Sequence, residues 1–230
     1  MLGTLVNVAA IVVGSAVGAF LKMGIPERYK STIMQGLSLS VMIIGLSNAL
    51  KYNNLLLVIV SLVIGGIIGE AIGIEYLLNK LGDIVHSKMS NGSNSSVSKG
   101  FVTASLIFCV GAMAIVGALK DGLEGDHSIL YAKSMLDGIA SIVFASTFGI
   151  GVLFSSVTVF IYQGFITLMA SFLKDLLINP IIADMSAIGG VLIVGISLNM
   201  LDIKNIKVGN LLPAIFVPVV YQLIKLIFHL

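Results

Sequence analysis

Charge is what this chain has least of: Lys, Arg, Asp and Glu make up 10% of its 230 residues, against about 25% in ordinary soluble domains. So few charges cannot cover a water-facing surface, which excludes the soluble class before any motif is read. Cysteine is nearly absent too. Cys109 stands alone, which excludes internal disulfides and CxxC metal or redox sites, and its apolar surroundings make it a small packed thiol. GxxxxGK[ST], HExxH and a serine-nucleophile motif are missing, and His86, His127 and His229 are too far apart to suggest a metal cluster. Neither enzymatic chemistry nor a cofactor is expected. The net charge of +2 comes from basic residues spread over a few loops, which gives no nucleic-acid footprint.

Apolar sequence is there in excess. The chain is 57% hydrophobic with a mean hydropathy of +1.09, and eight runs of roughly twenty residues follow one another. They fall at 2–21, 31–50, 55–74, 101–119, 129–150, 151–173, 185–201 and 211–230. A helix rises about 1.5 Å per residue and the hydrocarbon core is about 30 Å thick, so each run can cross once. The expectation is an all-α polytopic transmembrane helix bundle forming one domain over residues 1–230. The first run lacks a basic leader and is too long for a signal-peptide core, so it reads as a mature helix. Only 79–100, NKLGDIVHSKMSNGSNSSVSKG, makes a long polar connection, and its composition predicts a flexible loop.

Basic residues orient the bundle. Lys22, Arg28 and Lys30, then Lys80, Lys88 and Lys99, then Lys204 and Lys207 mark the odd-numbered loops. The intervening loops offer Lys51, Lys120 and Lys174, the second within acidic KDGLEGDH. Odd loops are therefore cytoplasmic and both termini outside. Residues 129–173 contain no polar loop and are too long for one crossing, so the chain must turn, most readily at the glycines of TFGIG, 147–151. If 129–150 only dips in and returns, the count becomes seven spans plus a re-entrant element.

An internal repeat is weakly written in the sequence. VAAIVVGSAVG at 8–18 aligns with IASIVFASTFG at 139–149, MQG at 34–36 with YQG at 162–164, and GGIIGEAIG at 65–73 with GGVLIVGIS at 189–197. Taken as real, 1–119 and 129–230 form a parallel four-plus-four repeat about an axis along the membrane normal.

Ionisable groups inside spans cost about 2.5–3.5 kcal/mol at mid-helix on the insertion scale, so each needs a reason. Glu70 reads either as a proton or cation ligand or as a carboxylate pairing with loop lysines. Lys133 and Asp137 stand four apart on one helical face, as an ion pair that eases insertion or as part of a binding site. Gln35 and Gln163 would be related by the repeat. Asn7 and other neutral polar residues read as interhelical glue, and the patterns GSAVG and GGIIG as close-packing surfaces.

The segment FVTASLIFCVGAMAIVGALKDGLEGDHSILYAKSMLDGIASIVFASTFGIGVLFS resembles the signature block of the bacterial YdfK/YqgA-like membrane proteins, a family of unknown function. GTLVNVAAIVVGSAVG, STIMQGLSLSVMIIGL, IGGIIGE and ISLNMLDIKNIKVGNLLPA extend the likeness over nearly the whole chain. The resemblance implies a multi-pass inner-membrane protein, often regarded as a transporter, and carries over no residue roles. The expected function is secondary transport or channelling of a small solute or ion, with Asp137, Glu70, Gln35, Gln163 and Lys133 as candidate contacts. The rival reading is a non-transporting scaffold that binds a partner. Lipid, the solute and a homo-oligomeric copy are the expected partners.

Overall fold

The computed structural model describes residues 1–22, 27–77, 80 and 96–228, and every regular element among them is helical. In chain order these are α1 (Leu2–Lys22), α2 (Glu27–Ala49), α3 (Leu55–Ile72), α4 (Ser96–Cys109), α5 (Ala112–Leu123), α6 (Ser128–Phe148), α7 (Gly151–Leu168), the single turn α8 (Ala170–Leu173) and α9 (Asn179–Met200). A 3-10 segment (Val208–Phe216) then leads into α10 (Val217–Phe228). Seven segments, the last made of the 3-10 stretch and α10 together, are long and apolar enough to cross a membrane, and α4 with α5 adds a pair bent by 61°. The chain is a polytopic transmembrane helix bundle. Most of the polar connection expected at 79–100 lies outside the described residues, although its last five residues already belong to α4.

Local chemistry explains the boundaries. Asn54 caps α3 by accepting a hydrogen bond from the Leu57 amide at 3.2 Å, and Pro180 sits in the first turn of α9, where its missing amide costs nothing. Pro213 and Pro218, which each remove a donor, accompany the 3-10 start of the last span. The turn between α6 and α7 falls within TFGIG, at Gly149, whose φ of 82° suits a residue without a Cβ.

The break lies elsewhere than the sequence suggested. Residues 129–150 do not dip and return: α6 is a continuous 21-residue helix. The interrupted element is instead the fourth span, which bends at Val110 and Gly111, the latter at φ 120°. A Cβ on Gly151, at the start of α7, would meet Val97; Ser105 donates to Thr158 at 3.2 Å; and a Cβ on Gly122 would meet Thr167. The bent pair therefore accompanies α7 from end to end, and at about 21 Å plus about 18 Å it is long enough to cross once despite its bend. Counted this way the crossings number eight by length and composition.

Packing partners are distant in sequence. α1 runs parallel to α6 because small residues let the backbones touch: a Cβ on Gly14 would strike the carbonyl of Gly138, and one on Gly18 that of Ile142. α2 lies antiparallel on α9, where Ser197 donates to the Ser38 carbonyl at 2.7 Å. α3 packs its Gly65 and Gly69 against Ala214 and Asn210 of the 3-10 segment. α9 is buried along most of its length and contacts α2, α3, α4, α5, the 3-10 segment and α10. A two-fold relating 1–119 to 129–230 would match the α2–α9 packing with one between α3 and α7, and those helices make no comparable contact among the described residues.

Candidate functional site

Three of the candidate residues converge. Asp137, the tenth residue of the 21-residue α6, is approached on Oδ2 by Lys133 Nζ at 2.6 Å and by Asn7 Nδ2 at 3.0 Å. Asn7 also donates to Gln163 Oε1 of α7 at 3.3 Å. The parallel pairing of α1 with α6 brings Asn7 to this depth, and the crossing of α7 over α1 supplies Gln163. Asn7 and Gln163 are fully buried, and the side chains of Lys133 and Asp137 are only 7% and 9% exposed. At such burial an ion pair persists only when both members stay paired.

Hydrogen-bonding capacity remains unused around the pair. Asn7 Oδ1 and Gln163 Nε2 are buried without partners among the described residues. So are the hydroxyls of Thr4 and Thr167, one turn away along α1 and α7 on the Lys133 side. Buried hydroxyls without partners also occur at Ser15, Ser61, Ser141 and Ser186, so what distinguishes this group is its place around an ion pair, where unsatisfied polar atoms call for an explanation. Both α4 and α5 pack against α6, so the bend between them lies along the helix that carries the pair.

Toward the end of the bundle that carries Met1, a second group forms. Asp121 Oδ1 accepts from the Met1 amino group at 2.9 Å, and His127 Nδ1 stands 2.6 Å from the same oxygen, at ion-pair distance but out of hydrogen-bond alignment. Toward the opposite end, a cavity of about 670 Å³ is lined by Ser98, Lys99, Thr103, Asn199, Lys204 and Asn205, with Glu75, Asp202 and Lys207 among the other groups. Phe148 borders this cavity, and Phe148, Phe144, Phe108 and Ile11 belong to one buried apolar core. Neither Lys133 nor Asp137 lines the cavity. An apolar layer, with the Phe108 and Phe144 rings 6.0 Å apart, therefore separates it from the cluster.

The other two candidates lie apart. Glu70, on α3, is held by Lys207 and by Asn210 Nδ2, each at 2.6 Å, with its side chain largely exposed. It fastens α3 to the 3-10 segment together with Glu75, which accepts from the Gly209 amide at 2.6 Å. Gln35 is exposed on α2, far from Gln163 in packing. A further buried acid emerges from the structure: Asp184 on α9 accepts the Asn53 and Asn54 amides at 2.7 and 2.8 Å, anchoring the α2–α3 turn. Its partners are backbone groups about 130 residues away, which leave no side-chain pattern to read.

Comparison with known proteins bears on this arrangement. The model of a family described as a protein of unknown function, DUF554, matches residues 2–223. The chain belongs to this family. It is 37% identical over 225 residues to the uncharacterized membrane protein YdfK of Bacillus subtilis (strain 168), covering 95% of this chain and 94% of that protein. It is 30% identical over 219 residues to the uncharacterized protein YqgA of Escherichia coli (strain K12), covering 94% and 93% respectively. No solved structure matches it. Membership agrees with the membrane architecture and with the resemblance carried by 101–155, and names no activity.

Proposed function

We propose that this protein is a transporter of a small solute or ion, with Lys133, Asp137, Asn7 and Gln163 forming an occluded binding site. The observation that carries the reading is a buried ion pair ringed by unused hydrogen-bonding groups, on a helix packed against the bent α4–α5 pair. A structural ion pair needs no spare donors and acceptors, whereas a site that alternately holds a solute and closes on itself does. Interrupted helices at depth are tolerated where they line such a site. The positive-inside rule supports a cytoplasmic position for the cavity of Lys99 and Lys204 and an outer position for the Met1 end, in the inner membrane of a bacterium. In this state the Phe108–Phe144–Phe148 layer closes the inner path.

The test is flux. Purified protein in liposomes is challenged by osmotic jumps with small salts and neutral solutes, followed by light scattering. A permeability above empty vesicles for at least one solute, lost in the Lys133→Met/Asp137→Asn double variant, supports the proposal. Vesicles indistinguishable from empty ones for every solute would point to a scaffold.

A further inference from the structure

We infer that the Lys133–Asp137 pair is a proton-coupled site for a small monovalent anion, the anion taking the carboxylate's place on Lys133 as Asp137 takes up a proton. The charge at a buried site must stay near zero, because each uncompensated charge at depth costs several kcal/mol. The closed pair meets this condition by itself: one ammonium faces one carboxylate at 2.6 Å. A solute that enters must preserve the sum. Protonating Asp137 removes its charge and frees Lys133, and an anion then restores neutrality; an O–H bond forms on Asp137 as one breaks in a hydronium ion or buffer acid of the solution, and no other covalent bond changes.

The surrounding groups favour an anion over a cation. Both donors to Asp137 converge on Oδ2, which leaves Oδ1 without a donor among the described residues and available to carry the proton. Lys133 spends one of its three N–H bonds on Asp137. Gln163 Nε2 is a donor with nothing to donate to and the hydroxyls of Thr4 and Thr167 can donate as well as accept, against Asn7 Oδ1 and the ionised Asp137 Oδ1 as acceptors without a donor among the described residues. The approach is mixed in charge: Lys99, Lys204 and Lys207 line the cavity on the other side of the apolar layer together with Glu75 and Asp202, so the preference for an anion rests on the cluster itself.

Few other ionisable groups bear on Asp137. On α6 there is Lys133; on α4, Cys109; on α7, Tyr162, which interacts with Cys109. α1 has no ionisable side chain between Met1 and Lys22, and α2 has none in 31–49. Asp121 on α5 is occupied at the Met1 end by the Met1 amino group and His127.

This inference gives the proposed transport site its solute class, and it is tested by binding rather than flux, so either can fail alone. Detergent-purified protein in weakly buffered gluconate is titrated with formate, nitrate and chloride while a pH-indicator dye reports protons and a thermal melt reports binding. At least one anion should raise the melting temperature above the gluconate control, with uptake of about one proton per chain and an apparent affinity that falls about tenfold per pH unit over the alkaline range. Asp137→Asn, which fixes a neutral partner, should bind the anion independently of pH and without proton uptake. Lys133→Met should not bind it. Gln163→Leu, which leaves both charges in place, should weaken binding with the proton count unchanged, and keeps the test decisive if Asp137→Asn fails to fold. Stabilisation by none of the three anions, anion binding without proton uptake in the wild type, or stabilisation by sodium or potassium with proton release would overturn the inference.

Discussion

Substituting Asp137 by Asn while Lys133 stays in place puts the most weight on the cluster. The change keeps size and hydrogen-bonding shape but leaves an ammonium, 7% exposed, without its counter-charge. Removing one member of a buried pair costs about 3–5 kcal/mol, and a lone charge at mid-helix about 2.5–3.5 kcal/mol on the insertion scale. Taking about 3 kcal/mol, where the ranges meet, and about 2–4 °C per kcal/mol for a chain of this size, the melting temperature should fall by about 6–12 °C. Lys133→Met should lose a similar amount, since the carboxylate keeps only Asn7 as a donor. The double variant removes both charges and should return to within about 1 kcal/mol of the wild type, because neutral groups of similar volume often replace a buried pair without loss. The assay is a thermal melt of detergent-solubilised protein in gluconate buffer, completed as a double-mutant cycle. Additive losses, with the double variant as unstable as the sum of the singles, would refute the idea that each charge is held in place by the other.

Further outcomes follow from the packing. Gly14→Val should cost about 1–3 kcal/mol in the same melt, since its side chain would enter the space held by the Gly138 carbonyl, whereas Gly36→Ala, which meets nothing within 4 Å, should be nearly silent. Asp184→Ala should destabilise by about 3 kcal/mol, because it strips a charged acceptor from two backbone amides, and Asp184→Asn by less, since its carbonyl oxygen can still accept; equal losses would mean that volume rather than acceptance matters. In a Cys109→Ser background, an impermeant thiol reagent applied to intact cells should label a cysteine at Gly125 and spare one at Asn205; the reverse pattern would invert the proposed orientation.

Much of this architecture was written along the chain, and the site was written across it. Apolar length marks the spans because hydrocarbon thickness acts on each helix separately, and the α6–α7 turn announced itself by leaving 45 residues without a polar loop. The bend in the fourth span did not, because Val110 and Gly111 interrupt the hydrogen-bond pattern without interrupting the hydrophobicity, and Gly111 is one of 25 glycines. Lys133 and Asp137 were legible as a pair by their spacing of four. Asn7 read as glue because its partners lie 130 and 156 residues away, and Glu70 kept two readings open because Lys207 and Asn210 lie 137 and 140 away. Gln35 drew its weight from a short repeat match, whereas exposure on a helix is decided by neighbours that no local pattern specifies.

The parallel embrace of α1 and α6 sets a schedule for biogenesis. α1 leaves the ribosome first, yet the backbone its glycines fit begins at Ser128. At about 5–20 residues per second, α1 waits for several to about 25 seconds with Asn7 facing lipid or a helper. α2 and α3 wait longer still, for α9 and the 3-10 segment. Apart from the contact of α1 with α5, the first half of the molecule therefore enters the membrane before its main packing partners, and α6 is the segment whose arrival lets it begin to close. A ribosome stalled before Ser128 should leave a membrane-inserted fragment with its packing faces open, a ready substrate for membrane quality-control proteases.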